Sequence, residues 1–260
     1  MQTTLSAYGT IAANLTRSLG TTAAEPQVAR ESAYYLANIG SVKSVDDFLG
    51  NNRLFSFAMK AFGLQDMTYA KAFMRKVLTE GIDSSSSFAN SLSDKRYAQF
   101  AAAFNFARYG DTTTTSDQTR QGTVDQYVQQ IMEDEAGAQN QGVRLALYFQ
   151  RSAANIDTAY SILADPALLK VVQTALGIPA ATSSMDIDRQ AAMITARLNI
   201  DDLKDPTKLN KFLSRFAVLW DVDNPTSAPE TSVALISQPL SAGIGADLLA
   251  TLQNLKLGGQ

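Results

Sequence analysis

Apolar residues recur at helical spacing along almost the whole chain, and no sustained alternation of apolar and polar residues indicates a strand. This pattern predicts an all-α protein. Asp165-Pro166 and Asp205-Pro206 each place a capping carboxylate before a proline suited to the first helical position. The predicted helices cover residues 4–18, 26–38, 45–50, 53–62, 67–80, 85–92, 94–109, 123–136, 141–153, 158–164, 166–176, 186–198, 206–219 and 242–256.

Glycines mark several of the predicted helix ends. Each follows an apolar periodic stretch, where a left-handed residue is expected to end the helix. These glycines are Gly63, Gly81, Gly110 and Gly177.

Two parts of the sequence resemble each other at a constant offset. When residues 47–64 are set over 160–178, Leu54 falls on Leu168 and Gly63 on Gly177, each 114 positions apart. The same offset places Tyr34-Tyr35 on Tyr148-Phe149. The offset indicates an internal duplication, and chance matching between Leu- and Ala-rich helices is the alternative.

The duplication suggests two similar multi-helix units packed together. We expect an N-terminal helical unit over 1–110, a flexible polar connector over 111–122, a second helical unit over 123–222, and a connector with a terminal helix over 223–260.

The chain contains no histidine and no cysteine, which excludes several kinds of chemistry. Structural zinc sites need thiolate or imidazole ligands, and Ser-His-Asp or Cys-His catalysis needs an imidazole base. Phosphate-loop, Ser-x-x-Lys and Gly-x-Ser-x-Gly motifs do not occur either. We therefore expect a non-enzymatic protein with no catalytic residues, no metal and no cofactor.

The charge and hydropathy of the chain limit its partners. A formal net charge of −3 argues against binding to nucleic acid or to an anionic membrane surface. Residues 233–252 contain one charged residue, Asp247, and its cost together with Gln238 and Pro239 weighs against a membrane span, so we expect a loop and an amphipathic helix there. Residues 1–20 lack the basic start and apolar core of a cleaved secretory signal.

Acidic clusters are the first candidate sites. Glu133, Asp134 and Glu135 are adjacent on a predicted helix and point in different directions, which favours a solvated surface over a catalytic pair. The pairs Asp186/Asp188 and Asp221/Asp223 resemble the start of a calcium loop, but both lack its glycine and its terminal glutamate. Capping and turn roles are favoured for them.

A basic stripe is the second candidate. Lys204, Lys208, Lys211 and Arg215 share one face of a predicted helix. Contact with phosphate is one reading, and the solvated side of an amphipathic helix is the favoured one. The buried side would then carry Leu209, Phe212, Leu213 and Phe216.

The terminal helices carry apolar seams that are candidates for partner binding. The candidate partner-binding residues are Leu5, Tyr8, Leu15, Leu19, Leu248, Leu252 and Leu255. The alternative is that each helix covers the core of its own unit, as amphipathic surface helices usually do.

Several segments are similar to a known family. They include RLFSFAMKAFGLQDMTYAKAFMRKVLTEG (53–81), SFANSLSDKRYAQFAAAFNF (87–106), EAGAQNQGVRLALYFQRSA (135–153) and ILADPALLKVVQTALGIP (162–179). Together they resemble the alphaproteobacterial domain of unknown function 1217 family, from about residue 28 to 222. Members are commonly encoded among flagellar genes. The resemblance implies no catalytic residues.

These observations lead to two expectations about function. The first is a helical interaction, structural or accessory protein with flagellar protein partners, located in the bacterial cytoplasm or at the flagellum. The alternative is a carboxylate-based, Mg-dependent small-ligand binder or enzyme that uses the cleft between the two units. The oligomeric state is left open.

Overall fold

The computed structural model describes residues 2–225, and within that range the chain is built from helices without a strand. The all-α prediction is confirmed. The predicted helix over 242–256, which contains Leu248, Leu252 and Leu255, lies outside the described residues.

The helices before residue 110 are mostly short. They are α1 Thr4–Ala13, α2 Leu15–Ala23, α3 Pro26–Asn38, α4 Val45–Gly50, α5 Asn52–Ala61, α6 Lys71–Glu80, α7 Phe88–Ser91, α8 Arg96–Ala103 and α9 Phe106–Tyr109. The predicted helix over 4–18 is two helices because Asn14 leaves the helical region, with φ −128° and ψ 35°. The predicted helix over 94–109 also breaks, at Phe104 and Asn105, where the Asn105 side chain caps α9.

The helices after residue 122 include the longest among residues 2–225. They are α10 Thr123–Gln139, α11 Gln141–Ser152, α12 Ala159–Leu163, α13 Pro166–Leu176, α14 Ile187–Thr195 and α15 Pro206–Asp223. Asp165 begins α13 as predicted, since its carboxylate accepts hydrogen bonds from the backbone N–H groups of Ala167 and Leu168. Gly177 ends the same helix in the left-handed conformation.

The buried side chains form two hydrophobic cores. The first core draws on residues 28–128 and is rich in stacked aromatic rings, with Phe48 and Phe104 only 4.7 Å apart between ring centroids. The second core draws on residues 132–216 and also includes Tyr8. Helix α10 supplies both, with Tyr127 in the first core and Met132 in the second.

The N-terminal helix differs in position from the expected unit over 1–110. Tyr8 of α1 is buried in the second core, and α1 packs against α11 and α15. The first residues of the chain therefore complete the second core, although the first core follows them directly in sequence.

The segment over 111–122 is not the flexible connector that its composition predicts. Gly110–Thr115 form a 3-10 helix and Gln118–Gly122 a π-helical turn. Thr113, Thr114 and Thr119 are buried, and the Thr114 hydroxyl donates a hydrogen bond of 2.8 Å to the carbonyl of Val42. Threonine side chains can be buried here because backbone carbonyls accept their hydrogen bonds.

Consecutive elements of the first core recur in the second with the offset of 114. The elements α3, 3-10 helix Ile39–Ser41, α4 and α5 are followed in the same order by α11, 3-10 helix Ala153–Asn155, α12 and α13. The capping residues recur as well, with Ser44 and Thr158 before α4 and α12, and Asn51 and Asp165 before α5 and α13. A duplication predicts this recurrence, and the duplication itself stays a prediction.

Candidate functional site

The candidate partner-binding residues of the N-terminal seam lie mostly against the protein's own core. Tyr8 is buried, and Leu15 and Leu19 are partly buried against core side chains. Only Leu5 is left open, with 39% of its surface exposed. Tyr8, Leu15 and Leu19 therefore cover the protein's own core, but for Tyr8 and Leu15 it is the second core and not that of the expected unit over 1–110. Their binding to a partner stays a prediction.

Helix α1 is held in place by polar contacts at its first residue. The backbone N–H of Thr4 donates to both carboxylate oxygens of Asp221, at 2.9 and 3.1 Å, and the Thr4 hydroxyl contacts Asp221 and Asn140. Asp221 thus caps a helix far from it in sequence, in agreement with the predicted capping role. Asn140 also caps α11 through the N–H of Gly142, at 2.8 Å.

The acidic cluster of α10 is only partly the solvated surface that was expected. Glu135 is exposed and Asp134 is half-buried, but the side chain of Glu133 is only 1% exposed. Glu133 accepts hydrogen bonds from Arg151 Nε at 2.8 Å and Arg151 Nη2 at 2.9 Å. The prediction was wrong for Glu133 because its partner lies 18 residues away on α11, where helical spacing on α10 gives no signal.

Burial dominates the electrostatics of Glu133. Removal of the carboxylate from water raises the pKa of Glu133, and the charge of Arg151 opposes that shift without cancelling it. A buried ion pair of this kind fixes the position of both side chains.

The basic stripe fits the favoured reading of an amphipathic helix. Leu213 and Phe216 are buried on one side of α15, and Leu209 and Phe212 pack partly against the same core. Lys208 and Lys204 are exposed and pair with Asp202 and Asp157, each at 2.7 Å. Lys204 lies before α15, in the 3-10 helix Ile200–Lys204, so the stripe is shorter than predicted.

A polar cleft of about 70 Å³ lies where the two cores meet. The residues that line it from the side of the first core are Phe62, Ser93, Asp94, Lys95, Arg96, Gln99 and Gln126. Those that line it from the side of the second are Tyr148, Arg151, Ser152, Asn155, Ile156, Ser161, Ala164, Asp165 and Leu168. Its charged lining residues are Asp94, Lys95, Arg96, Arg151 and Asp165. A concave site between two packed units is a common position for a ligand.

The cleft walls are held by hydrogen bonds within and between elements. Arg96 donates from Nη1 to the carbonyl of Gly63 at 2.6 Å and from Nε and Nη2 to Asp94. The Tyr148 hydroxyl donates to Asp165 at 2.6 Å. Burial, followed by the charge of Asp165, raises the pKa of Tyr148, so this phenol stays protonated at neutral pH.

The sequence predicts a cleft between two units but assigns no residue to its lining. The lining comes from loops and helix ends between positions 62 and 168, and no short motif joins them. The aspartate before Pro166 was identified as a helix cap, and its hydrogen bond to Tyr148 had no sequence signal.

The described residues contain no cluster of three acidic side chains placed to hold a metal ion. No helix among residues 2–225 is long and apolar enough to cross a membrane.

Residues 2–225 thus define an all-helical protein with two adjoining cores and a polar cleft between them. A family model described as protein of unknown function (DUF1217) matches residues 61–209, more than half of the sequence, and the chain belongs to this family. The predicted family resemblance is confirmed.

A solved structure shows the same fold. The X-ray crystal structure of a protein from Agrobacterium tumefaciens shares 46% sequence identity with this chain and superposes with a TM-score of 0.80. The similarity covers 85% of this chain and 94% of that protein. None of the curated proteins matches the chain.

Proposed function

We propose that the protein is a non-enzymatic helical interaction protein associated with the bacterial flagellum. The flagellar association follows from what the family resemblance implies about gene context. The interaction role is supported by the missing His and Cys chemistry and by exposed apolar side chains on the helices that begin and end the described chain.

The observation that supports the interaction role best is a set of exposed apolar side chains on two helices that pack together, Leu5 on α1 and Val218 and Val222 on α15, here called the terminal surface. Val218 is 48% exposed and Val222 is 70% exposed, one helical turn apart on α15. The hydrogen bond between Thr4 and Asp221 joins the two helices one residue before Leu5 and one residue before Val222. Apolar side chains that lie together on a surface are typical of protein-binding sites.

A deletion and complementation experiment tests this proposal. Cells without the gene should lose normal swimming, and the wild-type gene should restore it. The variant Val218→Asp/Val222→Asp should fail to restore swimming while keeping its melting temperature, since both side chains are exposed. Ile187→Asp is the matched control, because Ile187 is 53% exposed and lies on α14, apart from the terminal surface.

Two results would contradict the proposal. Normal flagella and swimming in the deletion strain would remove the flagellar association. Full complementation by the double aspartate variant would remove the terminal surface as the binding site.

A second candidate function is the binding of a small ligand in the polar cleft. The observation in its favour is the cavity itself, which lies between the two cores and is lined by ionisable side chains from both. A thermal-shift comparison of magnesium salts and oxyanion salts separates the chemistries that such a ligand could have.

A further inference from the structure

The two carboxylates that line the cleft are already engaged. Asp94 accepts three hydrogen bonds from the side chain of Arg96, at 2.7 to 3.1 Å. Asp165 accepts a hydrogen bond from the Tyr148 hydroxyl and two more from backbone N–H groups at the start of α13. A carboxylate that already accepts three hydrogen bonds is a poor ligand for a cation, because the cation would have to displace the hydrogen-bond donors.

Two basic side chains of the cleft, Arg151 and Lys95, have N–H groups that are not used in the described hydrogen bonds. Arg151 uses Nε and Nη2 for Glu133 and Gln130, and among the described hydrogen bonds its Nη1 has none. The ammonium group of Lys95 donates to the carbonyls of Asn90 and Leu92, at 3.1 and 3.0 Å, which occupies two of its three N–H bonds.

Arg151 is also fixed in place before any ligand arrives. Its guanidinium is held by the buried carboxylate of Glu133 and lies 5.3 Å from the centroid of the Tyr148 ring. A donor that is already positioned loses little conformational entropy when a ligand binds. Because Glu133 balances the charge of Arg151, the attraction for a ligand comes from directed N–H groups more than from net charge.

We propose that the cleft binds a small oxyanion, a carboxylate or a phosphate group, between Arg151 and Lys95. The cavity of about 70 Å³ suits a group of this size, and the unused N–H groups of Arg151 and Lys95 suit a ligand with acceptor oxygens. This inference rests on the second candidate function and specifies the chemistry of its ligand.

The test is a titration of the full chain with sodium phosphate, sodium malonate, sodium chloride and magnesium chloride at matched ionic strength. Isothermal calorimetry and the melting temperature are both followed. Saturable binding of phosphate or malonate is expected, and the better of the two identifies the ligand group. The variant Glu133→Gln/Arg151→Met removes the guanidinium donors without leaving a buried charge, and its Kd should rise about tenfold or more.

A second variant covers the case in which the double variant does not fold. Lys95 is exposed, so Lys95→Met should fold normally and weaken oxyanion binding several-fold. Lys43→Met is the matched control, because Lys43 is an exposed lysine outside the cleft, and its Kd should equal that of the wild type.

Three outcomes would overturn the inference. The first is that phosphate and malonate give the same calorimetric signal and the same melting temperature as chloride. That result would also remove the support for ligand binding in the cleft. Equal binding by all variants would place the anion elsewhere. A response to magnesium alone would keep the cleft as a binding site but assign it to a cation.

Discussion

The buried ion pair between Glu133 and Arg151 gives the sharpest prediction about stability. In Arg151→Met the carboxylate of Glu133, 1% exposed, loses the partner that makes two of its hydrogen bonds. Breaking a buried pair on one side costs about 3–5 kcal/mol at neutral pH. For a chain of this size that corresponds to a fall in melting temperature of roughly 6–20 °C.

The loss should depend on pH in a defined direction. Burial raises the pKa of Glu133 above its ordinary value of 4.5, so the folded state holds this proton more tightly than the unfolded state. Below the pKa that Glu133 has in the unfolded state, this proton contributes fully to the free energy of unfolding. The contribution is lost as the pH rises through the pKa that Glu133 has in the folded state. Removal of Arg151 raises the folded pKa further, so the variant should approach the wild type on acidification toward pH 4.5.

Urea denaturation followed by circular dichroism at several pH values measures these free energies by linear extrapolation. The control is Glu133→Gln/Arg151→Met, which leaves no buried charge and should be clearly more stable than Arg151→Met at neutral pH. A cost below about 1 kcal/mol for Arg151→Met, or a cost independent of pH, would refute the reasoning.

Three further predictions concern α1, α2 and their contacts. Gly142→Ala would place a Cβ 2.4 Å from Trp220, so it should destabilise the fold by about 1–3 kcal/mol in urea denaturation. Gly9→Ala is the control, because the space around Gly9 is open, and it should stabilise the fold by about 0.5–1 kcal/mol. Equal effects of the two substitutions would contradict the packing of Gly142 against Trp220. Leu15→Asp should lower the melting temperature, because Leu15 packs partly against the second core, and an unchanged value would make its seam free for a partner. Asp221→Ala should cost about 1–2 kcal/mol and speed hydrogen exchange of α1, and unaltered exchange would show that the cap is not needed.

Local sequence signals predicted the helices but not all of their ends. The predictions for Asp165 and Gly177 are confirmed, because an N-cap and a left-handed glycine act within one turn of the helix end that they form. The break at Asn14 was missed because the apolar spacing continues through it from Leu5 to Leu19.

Tertiary contacts account for the remaining differences. The threonines over 111–122 look like a linker in composition, and only their carbonyl partners elsewhere, such as Val42, permit their burial. Glu133 looks like a surface residue until Arg151 is placed beside it. The cleft depends on the meeting of two cores, so spacing along one helix cannot predict its donors.

Helix α10 has a consequence for how the protein unfolds. One continuous helix supplies side chains to both cores, with Tyr127 on one side and Met132 on the other, and α1 closes the second core from the far end of the sequence. Unfolding of either core would expose apolar side chains of α10, and the other core also packs against α10. Residues 4–223 should therefore behave as one cooperative unit, and local opening should be confined to the surfaces that do not touch α10.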